Sequence, residues 1–242
     1  MMTAELKQMC KSLRLAHVAD IYGSIAFENS AQFVEALLNK ELQMREEAKA
    51  ARLIKKAKFL QEKTLPSFEW SEKIHFPHQL DSEELVKLHF IERKENLIFT
   101  GSTGLGKTHL ATALGHEACQ KGFEVRFYRV SDLAEALEKA WAEGRWGQFR
   151  NRFKKVDLVI LDEMGYVPFS KEGAELLFQL ISDWYEQTSL IITSNLEFSQ
   201  WNRVFSDPRL TAALVDRVIH HAHILNFTGD SFRVSNALSR QK

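Results

Sequence analysis

Residues 101–108, Gly-Ser-Thr-Gly-Leu-Gly-Lys-Thr, constrain this chain more than any other feature. They read GxxxxGK[ST], a pattern whose chemistry needs a strand feeding the loop and a helix leaving it. Both flanks are present: the apolar run Asn96–Thr100 precedes it and the helix-forming stretch His109–Cys119 follows. Gly101, Gly104 and Gly106 permit a tight turn with N–H groups pointing inward at phosphate oxygens. The helix N-terminus adds its partial positive charge at the same spot. Lys107 can reach the β- and γ-phosphates of ATP, and the Thr108 hydroxyl can coordinate Mg²⁺. Ser102, Thr103, Leu105 and His109 complete the expected nucleotide-binding set. Chance would place such a pattern in a chain this long roughly once in a hundred.

Around the loop, short apolar runs alternate with helical patterns. Val125–Val130, Asp157–Leu161, Leu190–Thr193 and His223–Phe227 join Asn96–Thr100 as expected strands. Strands separated by helices in this way predict an α/β fold: a parallel five-stranded sheet with flanking helices. Upstream, residues 1–63 read as a helical N-terminal domain. Ser30 can cap a helix whose apolar positions Phe33, Leu37, Met44, Ala48 and Ala51 recur at three- and four-residue steps, with no Gly or Pro before Thr64. Residues 64–93, with Pro66 and Pro77, read as a linker, and 94–242 as the nucleotide domain. Fifteen residues follow Phe227, and no helical lid is expected.

The expected strand Asp157–Leu161 runs into Asp162-Glu163. A buried parallel strand ending in an acid sets that carboxylate at the C-terminal edge of the sheet, beside the phosphate loop. Asp162 is the candidate Mg²⁺ ligand with Thr108, and Glu163 the candidate to polarise an attacking water. Leu190–Thr193 ends at Ser194-Asn195; the Asn195 amide could bond the γ-phosphate or the water, or cap a following helix.

Taken together, residues 101–108, Asp162-Glu163 and Ser194-Asn195 resemble the Walker A, Walker B and sensor 1 elements of AAA+ ATPases. Leu214-Val-Asp-Arg217 and Gly229-Asp-Ser231 narrow the resemblance to the IstB family, ATP-binding helpers of bacterial insertion sequences, and to its relative, the helicase loader DnaC. The resemblance covers about residues 30–235. It implies assembly into rings or spirals in which an arginine from one subunit completes the neighbour's ATP site. Arg217 is the expected finger, with Arg209 in reserve, and Arg233 could approach the nucleotide.

Net charge is zero, so any affinity for DNA must come from local clusters. Arg45, Lys49, Arg52 and Lys56 recur at helical spacing, and Arg145, Arg150, Arg152 and Lys154 fall in a stretch without an acid. Both are candidate phosphate contacts. Between the latter cations, Trp146, Phe149 and Phe153 form a stripe expected to pack in the core. His220, His221 and His223 have no Cys or spaced carboxylate beside them and read as structural. Cys10 and Cys119 form no framework, no apolar run is long enough to span a bilayer, and the N-terminus has no secretory h-region. These features fit a cytoplasmic protein.

The resemblance implies a transposition helper that hydrolyses ATP, oligomerises on duplex DNA and recruits a transposase. A helicase loader on single-stranded DNA is the alternative within ATPases. A nucleotide switch without turnover is the alternative from another class, and Glu163 speaks against it.

Overall fold

The computed structural model describes residues 4–166, 168–205 and 207–231. By contacts the chain divides into two units, Met1–Arg52 and Leu53–Lys242. The first contains α1 (Ala4–Ser12), α2 (Val18–Ile21) and most of α3 (Ser30–Ala57). Among its described residues, Cys10, Val18 and Ile21 are the buried apolar ones. Glu41 on α3 is buried too, and it is satisfied rather than stranded: it accepts from the His17 backbone N–H at 2.7 Å and from Arg45 Nε at 2.7 Å.

α3 ends at Ala57, although no helix breaker occurs before Thr64, and Lys58 turns left-handed at φ 62°. The reason is tertiary. The turn carries Phe59 onto the His116 ring, centroids 4.3 Å apart, and towards Phe127 at 6.0 Å. Aromatic burial outweighs the weak local preference for continuing the helix.

In the second unit, β1 (Ile74–His75), β2 (Asn96–Thr100), β3 (Val125–Arg129), β4 (Leu158–Met164), β5 (Ser189–Ser194) and β6 (Ala222–Phe227) form one sheet in the order β1-β6-β2-β5-β4-β3. The five expected strands pair in parallel. β1 adds an antiparallel edge, Ile74 facing Phe227 and His75 facing Asn226. Two residues carry no periodic signal, which is why β1 is invisible in the sequence.

Side chains alternate between the faces of the sheet, as its pleat requires. Ile98, Val159, Leu161 and Ile192 enter one core with α7 (Val130–Ala142), α8 (Trp146–Asn151), α9 (Lys171–Trp184), α10 (Asn202–Phe205) and α11 (Pro208–Ile219). Leu97, Phe99, Ile160 and Ile191 enter the other with α4 (Ser82–Lys87), α5 (His89–Glu92) and α6 (Lys107–Gln120). Each such Leu or Ile contributes about 1.5–3 kcal/mol by leaving water. Phe149 and Phe153 are buried in the first core and Trp146 packs against it, so the expected aromatic stripe is core. α11 starts where Asp207 caps Arg209 N at 2.8 Å and Leu210 N at 3.0 Å, with Pro208 in the first turn. Among the described residues, no helix is long and apolar enough to cross a membrane.

Candidate functional site

The loop 101–106 joins β2 to α6 at the C-terminal edge of the sheet. Gly101 and Gly104 hold φ of 132° and 86°, values that L side chains rarely adopt. Space forbids a side chain as well: a Cβ at Gly101 would collide with the Phe227 carbonyl, and one at Gly104 with the Ser231 hydroxyl. The loop is therefore braced from behind by the end of β6 and by Ser231 beyond it. Gly106 hands the chain into α6, whose first residues are Lys107 and Thr108.

Lys107 is largely buried, and its Nζ donates to the Gly101 and Ser102 carbonyls at 2.6 and 2.7 Å. Leu105 is buried and anchors the loop, whereas Ser102 and Thr103 are exposed. Thr103 Oγ1 lies 2.8 Å from the Tyr166 hydroxyl. His109 Nε2 stands 3.2 Å from Ser67 Oγ, and its ring meets Phe68 edge-on at 5.3 Å. Burial, helped by nearby Lys63, holds this imidazole below the usual histidine range.

Asp162 is the hub opposite the loop. It lies within β4, 2% exposed, and its Oδ1 accepts from Thr108 Oγ1 at 2.8 Å and from Thr193 Oγ1 at 2.6 Å. Thr193 Oγ1 in turn accepts from the Glu163 N–H at 3.0 Å. One hydroxyl on β5 thus ties both acids of β4 into place. Between Leu161 and Met164 the β4–β5 register slips, and Glu163 is left-handed at φ 65°. A bulge at this point re-aims a side chain that regular pleating would direct elsewhere. The Glu163 carboxylate is 43% exposed, with Arg129 Nε 3.9 Å away.

These groups converge on a cleft of about 690 Å³. Its lining includes residues 103–109, Asp162, Glu163, Thr193 and Asn195, faced by Leu60, Gln61 and Phe68. Asn195 is exposed at the cleft and does not cap the short helix after it, which begins from Glu197. The fold brings Lys107, Thr108, Asp162, Glu163 and Asn195 to one place. A threonine hydroxyl beside a buried carboxylate is an all-oxygen donor set that suits a hard cation such as Mg²⁺. Thr193, Tyr166, Arg129 and the segment 60–68 were not singled out from sequence. Only Thr193, next to Ser194-Asn195 at a strand end, carried a local signal.

Arg217 lies elsewhere. On α11 it covers the Phe178 ring at 4.6 Å and donates to the Ala213 carbonyl at 3.2 Å. It does not line the cleft. Arg209 sits in the first turn of the same helix, and Arg233 lies outside the described residues.

Several cations of the expected DNA clusters already have partners. Arg45 bonds Glu41 and the Arg14 carbonyl, and Lys56 Nζ meets Glu124 at 2.6 Å. Arg145 pairs with Glu143, and Arg150 grips both carboxylate oxygens of Asp183 at 2.6–2.7 Å. Arg152 lies over the Phe149 ring at 5.4 Å. Lys49, Arg52 and Lys154 are exposed.

Residues 6–240 match the family profile described as IstB-like ATP binding protein. The chain is 35% identical over 243 residues to the insertion sequence IS232 putative ATP-binding protein of Bacillus thuringiensis subsp. berliner, covering 98% of this chain and 93% of that one. It is 34% identical to the IS5376 putative ATP-binding protein of Geobacillus stearothermophilus, covering 96% and 95%. Among solved structures, AMPPCP-bound DnaA from Aquifex aeolicus matches with a TM-score of 0.58 at 26% identity, over 75% of this chain and 56% of that one. The DnaC helicase loader matches with a TM-score of 0.52 at 23% identity, over 68% and 96%, a likeness of fold. The architecture is that of the AAA+ P-loop proteins.

Proposed function

The chain belongs to the IstB-like ATP-binding protein family, and from that premise we propose that it binds Mg-ATP, hydrolyses it and uses the cycle to assist DNA transposition. The observation that carries the reading is the meeting of Thr108 and Thr193 on one buried oxygen of Asp162, with Glu163 aimed into the same cleft. Backbone N–H groups of residues 104–108 bind the phosphates, and Lys107 exchanges its loop carbonyls for β- and γ-phosphate oxygens. Thr108 and Asp162 would hold Mg²⁺, which would supply charge neutralisation on the phosphates. Glu163 accepts the proton of the attacking water, and the Asn195 amide orients that water or the γ-phosphate. Ser102, Thr103, Leu105 and His109 shape the walls around the nucleotide.

The side chain of Arg217 spans Phe178 outside its own cleft, which suits a residue that serves a neighbouring subunit. We assign it as the finger in a ring or spiral of copies, with Arg209 as the substitute. Lys49, Arg52 and Lys154, exposed, together with Arg45, Lys56, Arg145, Arg150 and Arg152, which must first release internal partners, contact duplex DNA. The assembly then recruits a transposase, in the cytoplasm.

ATP turnover with and without duplex DNA, on the wild type and Glu163→Gln, tests this. Expected are DNA-stimulated turnover in the wild type and a loss of about 10²- to 10⁴-fold in the variant, the usual contribution of a positioned general base, with ATP affinity retained. A wild type that binds ATP without releasing phosphate would reduce the protein to a nucleotide switch.

A further inference from the structure

Away from the cleft, the ends of α9 and α11 bring together Glu186, His220 and His221. One ring nitrogen from each imidazole and one carboxylate oxygen lie within 4.8 Å of one another. His221 Nε2 is 3.5 Å from Glu186 Oε1, and the two imidazoles stand edge to face at 4.2 Å. The Tyr185 hydroxyl is 2.8 Å from His220 Nδ1 and fixes that ring. Glu186 holds the left-handed conformation at φ 56°, unusual for a residue with a Cβ, and this turn carries its carboxylate towards the histidines. His223 takes no part, because the strand β6 sends it to Glu95 at 3.1 Å.

From this geometry we infer that Glu186, His220 and His221 form a binding site for a divalent first-row transition metal, of which Zn²⁺ is the representative. Two imidazole nitrogens and one carboxylate oxygen match the mixed donor set of zinc and not the all-oxygen set of Mg²⁺. Ligand atoms around a tetrahedral ion at ~2.0–2.1 Å stand roughly 3.3 Å apart. The three donors are exposed and lie within 4.8 Å of one another, so small side-chain rotations would bring them to that spacing. The Tyr185–His220 bond supplies the outer partner that orients a ligating histidine. The site is independent of the nucleotide reading. Its occupation would pin the end of α9 to the end of α11, the helix that bears Arg217.

The test is competition for Zn²⁺ between a chromophoric chelator and the tag-free full-length protein, with excess Mg²⁺ present. One equivalent per chain should be held by the wild type and lost from the His220→Ala/His221→Ala double variant. Tyr185→Phe should weaken binding about tenfold. Circular dichroism and Mg-ATP binding serve as controls of folding. Should the double variant misfold, Glu186→Gln, an exposed substitution, carries the test by weakening Zn²⁺ binding. A wild type that yields all its zinc to the chelator overturns the site, as does zinc affinity that is the same in the wild type and in Glu186→Gln.

Discussion

Thr193→Val probes the link between the two acids of the cleft. The side chain is 2% exposed, and its hydroxyl donates to Asp162 at 2.6 Å while accepting from the Glu163 N–H at 3.0 Å. Valine keeps the shape and removes both bonds. The bond to a charged carboxylate contributes about 1.5–3 kcal/mol, and stranding the amide costs about 1–3 kcal/mol more. Extra burial of one methyl offsets roughly 0.8 kcal/mol. A net loss of about 2–5 kcal/mol follows, equivalent to a shift of roughly 30- to 5,000-fold in the folding equilibrium. Urea unfolding followed by tryptophan fluorescence should show a lower midpoint at unchanged slope. Turnover should fall further than ATP affinity, because the left-handed turn at Glu163 loses its tether. Thr193→Ser, which retains the hydroxyl, should recover most of both. A valine variant as stable and as active as the wild type refutes the reasoning, and so does a serine variant no better than valine.

Three further outcomes are expected. Lys107→Ala should weaken ATP binding about 10- to 100-fold, from the loss of charge-assisted bonds worth roughly 1.5–3 kcal/mol, with circular dichroism unchanged; titration calorimetry measures it. Arg217→Ala should bind ATP normally yet lose turnover in the assembly, and mixing it with Glu163→Gln chains should restore part of the activity if the arginine acts between subunits. His116 is buried against Phe59, and burial lowers its pKa from the usual ~6.5. The unfolded chain thus binds the extra proton first, so this contribution is intact above about pH 6.5 and is lost as pH falls from there towards the folded-state pKa. His116→Phe should flatten the decline in urea midpoint below pH 6.5, and an unaltered slope would exclude His116 as its source.

Features legible in the sequence were those encoded by neighbours along the chain. The phosphate loop is one contiguous motif, and the strands of the parallel sheet announce themselves as apolar runs. Asp162 and Glu163 could be placed because a strand and its end are adjacent. Other features are made by the fold. α3 stops at Ala57 because Phe59 finds a ring 57 positions later, at His116. Glu186, which stands beside His220 and His221, comes from a different helix end and gives no signal near them in the sequence. Cations that read as an acid-free stretch turn out to be paired across elements, as Arg150 is with Asp183. Composition shows the charges; only packing shows which are spoken for.

The residues behind the phosphate loop have a practical consequence for anyone trimming this protein. Phe227 and Ser231 press on Gly101 and Gly104, while the Thr228 N–H reaches the Lys73 carbonyl at 2.9 Å. A truncation just past β6 would leave every cleft-lining residue in place, yet it would remove part of the buttress behind the phosphate loop. Shortened versions should therefore be judged by whether residues 228–231 survive, and fusions are better attached at the other terminus.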